Sequence, residues 1–197
     1  MRRWAILAAL VDGMNKHGSW CGETHIQKCT YFLQDLLSVP TGFEFILYKH
    51  GPFSFELRDE LGDMSAHFLL KAEARQYPYG PSWRTEASAE VLKRQFSKTL
   101  GKYAVHIHFA ASELSVKSVA ELERLATALF VTKKHEGAVE EMADFIHKLK
   151  PHVSVTQALQ ALEEVAILRK RASSVLLPGD GVGSRAQRMI IDSPVRT

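Results

Sequence analysis

The chain has 197 residues, 46% of them hydrophobic, which is enough apolar material for one core or for one core with a small appendage. A net charge of +3 with 24% charged residues excludes a whole-molecule field that would draw the protein to nucleic acid or to a membrane. No apolar run reaches the length of a transmembrane helix, and two cysteines, Cys21 and Cys29, give no disulfide framework, so the expected compartment is the cytoplasm.

The opening segment MRRWAILAALVDGMNKHG has a basic flank and a short apolar run, as a signal peptide does. Val11-Asp12 interrupts that run, and no clean small-residue cleavage site follows. It reads as an amphipathic helix over 2–17, with Trp4, Ile6, Leu7, Leu10, Val11 and Met14 at helical spacing. Thr24 is placed to cap a second helix, whose apolar face is Ile26, Cys29, Phe32, Leu33, Leu36 and Leu37. FEFILY, residues 43–48, is aromatic and β-branched and predicts a buried strand. Lys49-His50-Gly51-Pro52 reads as the turn that follows it, and Ser54 as the cap of a helix over 54–66. Alternation in HFLLKAEARQ, the turn cluster YPYGP and then SWRTEA predict a β-hairpin with an aromatic tip. A helix over 86–100 buries Leu92, Phe96 and Leu100 and exposes Lys93, Arg94 and Lys98. AVHIHFAA alternates like a half-buried strand. Helices follow over 119–134, 138–149 and 154–172. The Gly, Ser and Pro content beyond them predicts a flexible tail.

The order of elements predicts a mainly α protein with a small β component. It is a winged helix-turn-helix over 1–112, a helical extension over 113–172 packed on it, and a tail over 173–197. HIQKCTYFLQ followed by GFEFILYKHGPFSFELRDEL resembles the YwgA-like family of small prokaryotic proteins and, more distantly, the Panacea domain of SocA-type antitoxins. The residues that carry the resemblance are Gln27, Lys28, Tyr31, Phe32, Tyr48, Gly51, Pro52, Ser54 and Leu57. ELERLATALFV and LKPHVSVTQALQAL extend it over about residues 3–165. The resemblance implies a winged-helix scaffold. Its Panacea side implies a regulator or antitoxin that works by holding a protein partner.

Candidate chemistry is sparse. His17, Cys21, His25 and Cys29 fall four apart, which on one continuous helix would make a metal-binding stripe. Gly18 and Gly22 break that helix, and Cys29 lies on its apolar face, so no metal is expected. His106 and His108 share one face of the predicted strand but have no evident third ligand. PGDGVGS, 178–184, lacks the Lys-Ser/Thr pair of a phosphate loop, and no nucleophile elbow is present. No cofactor and no catalytic residue are therefore expected. His50, His106 and His108 are the only acid–base groups that could serve an enzyme.

Binding is the expected function. The aromatic tip residues Tyr77, Tyr79 and Trp83 are of the kind that anchor protein interfaces, for a partner protein or a second copy of the chain. DNA is the alternative. The helix before the wing carries Glu56, Asp59, Glu60 and Asp63 against Arg58, which opposes standard docking on phosphates. Lys71, Arg75, Arg84, Lys93, Arg94 and Lys98 lie in the hairpin and the helix after it, where they could hold a DNA backbone.

Overall fold

The computed structural model describes residues 1–76 and 80–176. Among these the protein is α+β, with eight α-helices and two separate two-stranded antiparallel hairpins. Helices α1 (Arg2–Lys16) and α2 (Glu23–Asp35) form the centre. Seven side chains of α1 and nine of α2 are buried, more than one amphipathic stripe would supply, so neighbours cover both helices on several sides.

Strands β1 (Ile46–Tyr48) and β2 (Gly51–Phe53) form the first hairpin, and α3 (Phe55–Ala66) follows directly. Strands β3 (Leu70–Glu73) and β4 (Ser82–Thr85) form the second. Then come α4 (Ala87–Gln95), α5 (Ser97–Phe109), α6 (Val119–Lys134), α7 (Val139–Leu149) and α8 (Val155–Leu176). The second hairpin lies along α1, which α4 and α5 also contact. Helix α6 packs on α2 and on β2, and α8 covers α6 and α7. Buried apolar residues run without interruption from Ala5 on α1 to Ala172 on α8.

Several expectations are corrected. The segment FEFILY is extended only over Ile46–Tyr48, and the outward residues Ile46 and Tyr48 are exposed. Its apolar content is spent earlier, where Phe45 packs edge-on against Tyr31 of α2 and against the buried Phe43. Gly51-Pro52 is not the turn but the start of β2, with Tyr48 paired to Gly51 and Ile46 to Phe53. Lys49-His50 forms the turn, a two-residue loop. Thr24 does not cap α2. Gly22 does so from an extended backbone that also bridges to Ser82. The predicted 86–100 helix is two helices, broken at Phe96. AVHIHFAA is helical, and α5 widens into a π-helical turn over Ala110–Leu114. Ile107, Ala110, Ala111 and Leu114 are all buried, at helical spacing. Helix α8 continues past 172 to Leu176. The predicted cap at Ser54 is present, its Oγ accepting from the Leu57 amide at 3.2 Å.

Side chains from α2 fasten the whole first hairpin. The Gln27 amide accepts from the Ser54 backbone N–H at 2.9 Å and donates to the Ser54 carbonyl at 2.8 Å. Two turns further along α2, Gln34 does the same for Phe43, at 2.9 Å in both directions. Between these two ends, the Lys28 Nζ donates to the Pro52 carbonyl at 2.9 Å. Gly51 is required where β2 meets α6. Its φ is +82°, and a Cβ there would lie 2.9 Å from Thr127 Oγ1 and 3.2 Å from the Glu123 carbonyl oxygen.

Gln27 is fully buried, so shortening it strands both the N–H and the C=O of Ser54 away from water. Gln27→Ala is expected to cost about 2–4 kcal/mol of stability, since two buried groups lose their partners. Equilibrium urea denaturation measures it, and a loss under about 0.5 kcal/mol, the size of an ordinary surface substitution, contradicts the clamp.

Candidate functional site

The residues expected to bind a partner or DNA are dispersed. Tyr77 and Tyr79 lie outside the described residues, as does PGDGVGS. Trp83 stands opposite Ala72 on β4, half-buried against the core, with its indole nitrogen buried and unbonded. Its backbone carbonyl accepts from Asn15 of α1 at 3.2 Å.

Of the six basic residues, Lys93 is engaged inside the fold. It pairs with Asp12 of α1 and with Glu90. Burial alone would raise the Asp12 pKa, but hydrogen bonds from Lys93 and Thr85 overcome it and hold the carboxyl below its ordinary value. Arg84 pairs with Glu73 at 2.7 Å across the hairpin, and the Arg75 guanidinium sits 5.2 Å from the Trp20 ring centre. Lys71, Arg94 and Lys98 are exposed and make no ion pair among the described residues.

The histidines do not converge on a metal. Two residues apart on a helix, His106 and His108 point about 200° apart. His108 meets His17 at 5.4 Å between ring centres, while His106 packs edge-on to Tyr103. His25 Nε2 lies 3.0 Å from the Lys117 carbonyl, and burial lowers its pKa. Burial pushes the Cys21 thiol up to about 12 and raises Cys29 as well, so neither is a ready thiolate. Among the described residues no group of three His, Cys, Asp or Glu side chains could hold a metal ion.

Two surfaces do gather chemistry, and both belong to the first hairpin. In an antiparallel pair, opposite residues share a face, so Ile46, Tyr48 and Phe53 project together. Phe55, the first residue of α3, joins them. The three rings are in mutual contact, with centres 5.9 Å apart for Tyr48–Phe53, 5.5 Å for Tyr48–Phe55 and 5.1 Å for Phe53–Phe55. Ile46 and Tyr48 are each 44% exposed and Phe55 40%. The Arg58 guanidinium lies 5.2 Å from the centre of the Phe55 ring and pairs with Asp59. The sequence reading missed this surface because it assigned Ile46 and Tyr48 to a buried strand and gave Phe53 and Phe55 no shared face with them. The spacing of Tyr48, Phe53 and Phe55 around a glycine-proline pair was the available signal.

The second surface is a cleft of about 90 Å³ beneath the Lys49-His50 turn, lined by His50, Glu123, Arg124, Lys150, His152 and Gln157 among others. His50 Nδ1 lies 3.2 Å from a Glu123 carboxylate oxygen. Lys150 Nζ donates to the carbonyls of Tyr48 and Lys49, the latter at 2.6 Å, and so holds the turn in place. Lys28 lies behind this wall, 1% exposed. Burial lowers its pKa to about 8. Glu123 works against that shift and Lys150 adds to it.

The site therefore belongs to a mainly helical α+β protein with a clamped hairpin that carries an aromatic outer face and a charged cleft at its turn. No protein-family model, curated protein or solved structure matches the chain. No helix among the described residues is long and apolar enough to cross a membrane.

The Lys28 shift carries a pH signature. An unfolded chain keeps its lysine protonated up to the ordinary lysine range, while folded Lys28 releases its proton from about pH 8. Between those limits the unfolded state binds more protons, so wild type gains stability relative to Lys28→Met as pH rises through that window. Paired urea denaturations across it, in which the raised Cys21 and Cys29 thiols cancel, test this. A constant difference from pH 7 upward contradicts the burial of a charged lysine.

Proposed function

We propose that this chain is a non-enzymatic binding protein, a regulator or antitoxin-like adaptor that holds a protein partner. The observation that carries this reading is the aromatic face of the first hairpin. Four large apolar side chains share one solvent-facing patch, and Phe55 packs edge to face on both Tyr48 and Phe53, which are tilted to each other. Aromatic residues with an adjacent arginine are the common anchors of protein interfaces. Arg58, paired with Asp59, lies against the Phe55 ring at the edge of the patch.

A winged-helix reading is consistent with the order α1, α2, α3 and then the β3–β4 hairpin as wing. The resemblance to the YwgA-like and Panacea families points the same way. In that reading α3 holds the position of a recognition helix, and its Glu56, Asp59, Glu60 and Asp63 oppose phosphate contact. Arg3 of α1 reaches two of these, Glu56 at 2.6 Å and Glu60. The exposed cations Lys71, Arg94 and Lys98 favour DNA backbone binding as the second reading.

Affinity capture from the native host with wild type and Phe55→Ala separates the two. Loss of a partner retained by wild type supports the protein-binding reading, with an expected weakening of about 2 kcal/mol for a hot-spot ring. Full retention by both Phe55→Ala and Tyr48→Ala removes this face from the interface. A duplex affinity that falls steeply with salt and vanishes in Arg94→Ala/Lys98→Ala supports the DNA reading instead. Sedimentation of the purified chain identifies a second copy as the partner.

A further inference from the structure

We infer that the cleft under the Lys49-His50 turn is a binding site for a single phosphate group. Its walls are built from the first hairpin, from α6 and from the connection between α7 and α8, and none of its residues belongs to the aromatic face. A volume of about 90 Å³ is ample for one tetrahedral oxyanion.

The charge balance of the walls favours an anion. Lys150 and Arg124 line the cleft, and Lys28 stands behind it. Glu123 is the one carboxylate in the lining. That carboxylate is already engaged by His50, at 3.2 Å from Nδ1. Lys28 and Lys150 are close enough for Lys150 to make the Lys28 ammonium harder to keep. An anion in the cleft, beside Lys150, offsets that repulsion.

The donors are open. Arg124 is half-buried, yet it makes no hydrogen bond or ion pair with any described residue, and it feels Glu121 only through space. A guanidinium offers five N–H groups in a planar fork suited to phosphate. Lys150 uses two of its three N–H groups on the carbonyls of Tyr48 and Lys49 and keeps one. In its imidazolium form His50, held by Glu123 through Nδ1, offers Nε2–H as a further donor, and the exposed His152 adds a second ring.

Helix geometry adds to this. The lining residue Gln157 lies in the first turn of α8, where it exchanges hydrogen bonds with Ser154 at 3.0 and 3.2 Å. Ala120 and Glu123 lie in the first turn and a half of α6. The N-terminal turn of α8, the positive end of a macrodipole, and the side of α6 therefore border the same small space.

The test is NMR titration of the full chain with inorganic phosphate, with sodium chloride at matched ionic strength as control. The expected result is a saturable shift of the His50 and His152 ring signals with phosphate and none with chloride. Arg124→Gln is expected to weaken binding at least about tenfold, the value of one charge-assisted bidentate contact. Arg124 has no internal partner, so this variant keeps the wild-type melting temperature without ligand. Adenosine monophosphate is titrated in parallel. Tighter binding than inorganic phosphate marks a phosphomonoester as the source, and exclusion marks the free ion; either outcome supports the site. Equal shifts with chloride, absence of saturation, or unchanged affinity in Arg124→Gln overturns it.

Discussion

The arrangement of this protein depends on how α2 grips residues 43–54. Two glutamines seven positions apart lie on one face of the helix, because seven residues span almost two whole turns. Each satisfies both backbone groups of a single residue, Phe43 for Gln34 and Ser54 for Gln27. These are the places where the chain enters and leaves the hairpin, where strand pairing has stopped and backbone groups need another partner. A two-stranded hairpin of three residues each has little stability of its own. Tied at both ends and gripped by Lys28 in the middle, it becomes a rigid projection from the core.

This clamp gives physical content to residue types that the sequence only marked out. Gln27, Lys28, Gly51, Pro52 and Ser54 looked like two separate short motifs. They are the two halves of one contact. Gln27 meets the backbone of Ser54, Lys28 meets that of Pro52, and Gly51 brings the chain against Thr127 and Glu123 of α6 without a Cβ in the way. Side-chain-to-backbone pairing leaves no pattern of complementary residue types, so the partnership was not legible before the structure placed the segments together. What was legible came from local chemistry. The Ser54 cap, the long amphipathic helices and the β3–β4 hairpin all follow from propensity and periodicity that tertiary contacts reinforce.

The misread segments fail for two reasons. Short stretches can satisfy two periods at once. Val105, Ile107 and Phe109 alternate with His106 and His108, which suggests a strand, but Ile107, Ala110, Ala111 and Leu114 also satisfy a helix. The longer pattern wins because it buries more, and Gly13 of α1 lets the π-helical turn approach closely, its missing Cβ standing 2.9 Å from that of Ala111. FEFILY fails in the opposite direction. Its composition suits a buried strand, yet strand pairing takes only its last three residues and turns Ile46 and Tyr48 outward. Aromatic content reported the β geometry correctly and the burial incorrectly, because propensity scales cannot tell a core face from a binding face.

Placing a histidine in the turn of so short a hairpin now has a structural consequence. Lys49-His50 is anchored from below by Lys150, which ties the turn to the end of α7, and from the side by Glu123 of α6. The aromatic face and the cleft are thus opposite products of one element: alternation sends Tyr48 and Phe53 outward, and the turn carries His50 over the charged space between α6 and α8. The two surfaces meet at Tyr48, whose side chain belongs to the face and whose backbone carbonyl accepts from Lys150 in the cleft wall. A change in the charge around Lys150 acts on that carbonyl directly. Because binding free energies are reciprocal, whatever coupling this path carries is felt equally from either side.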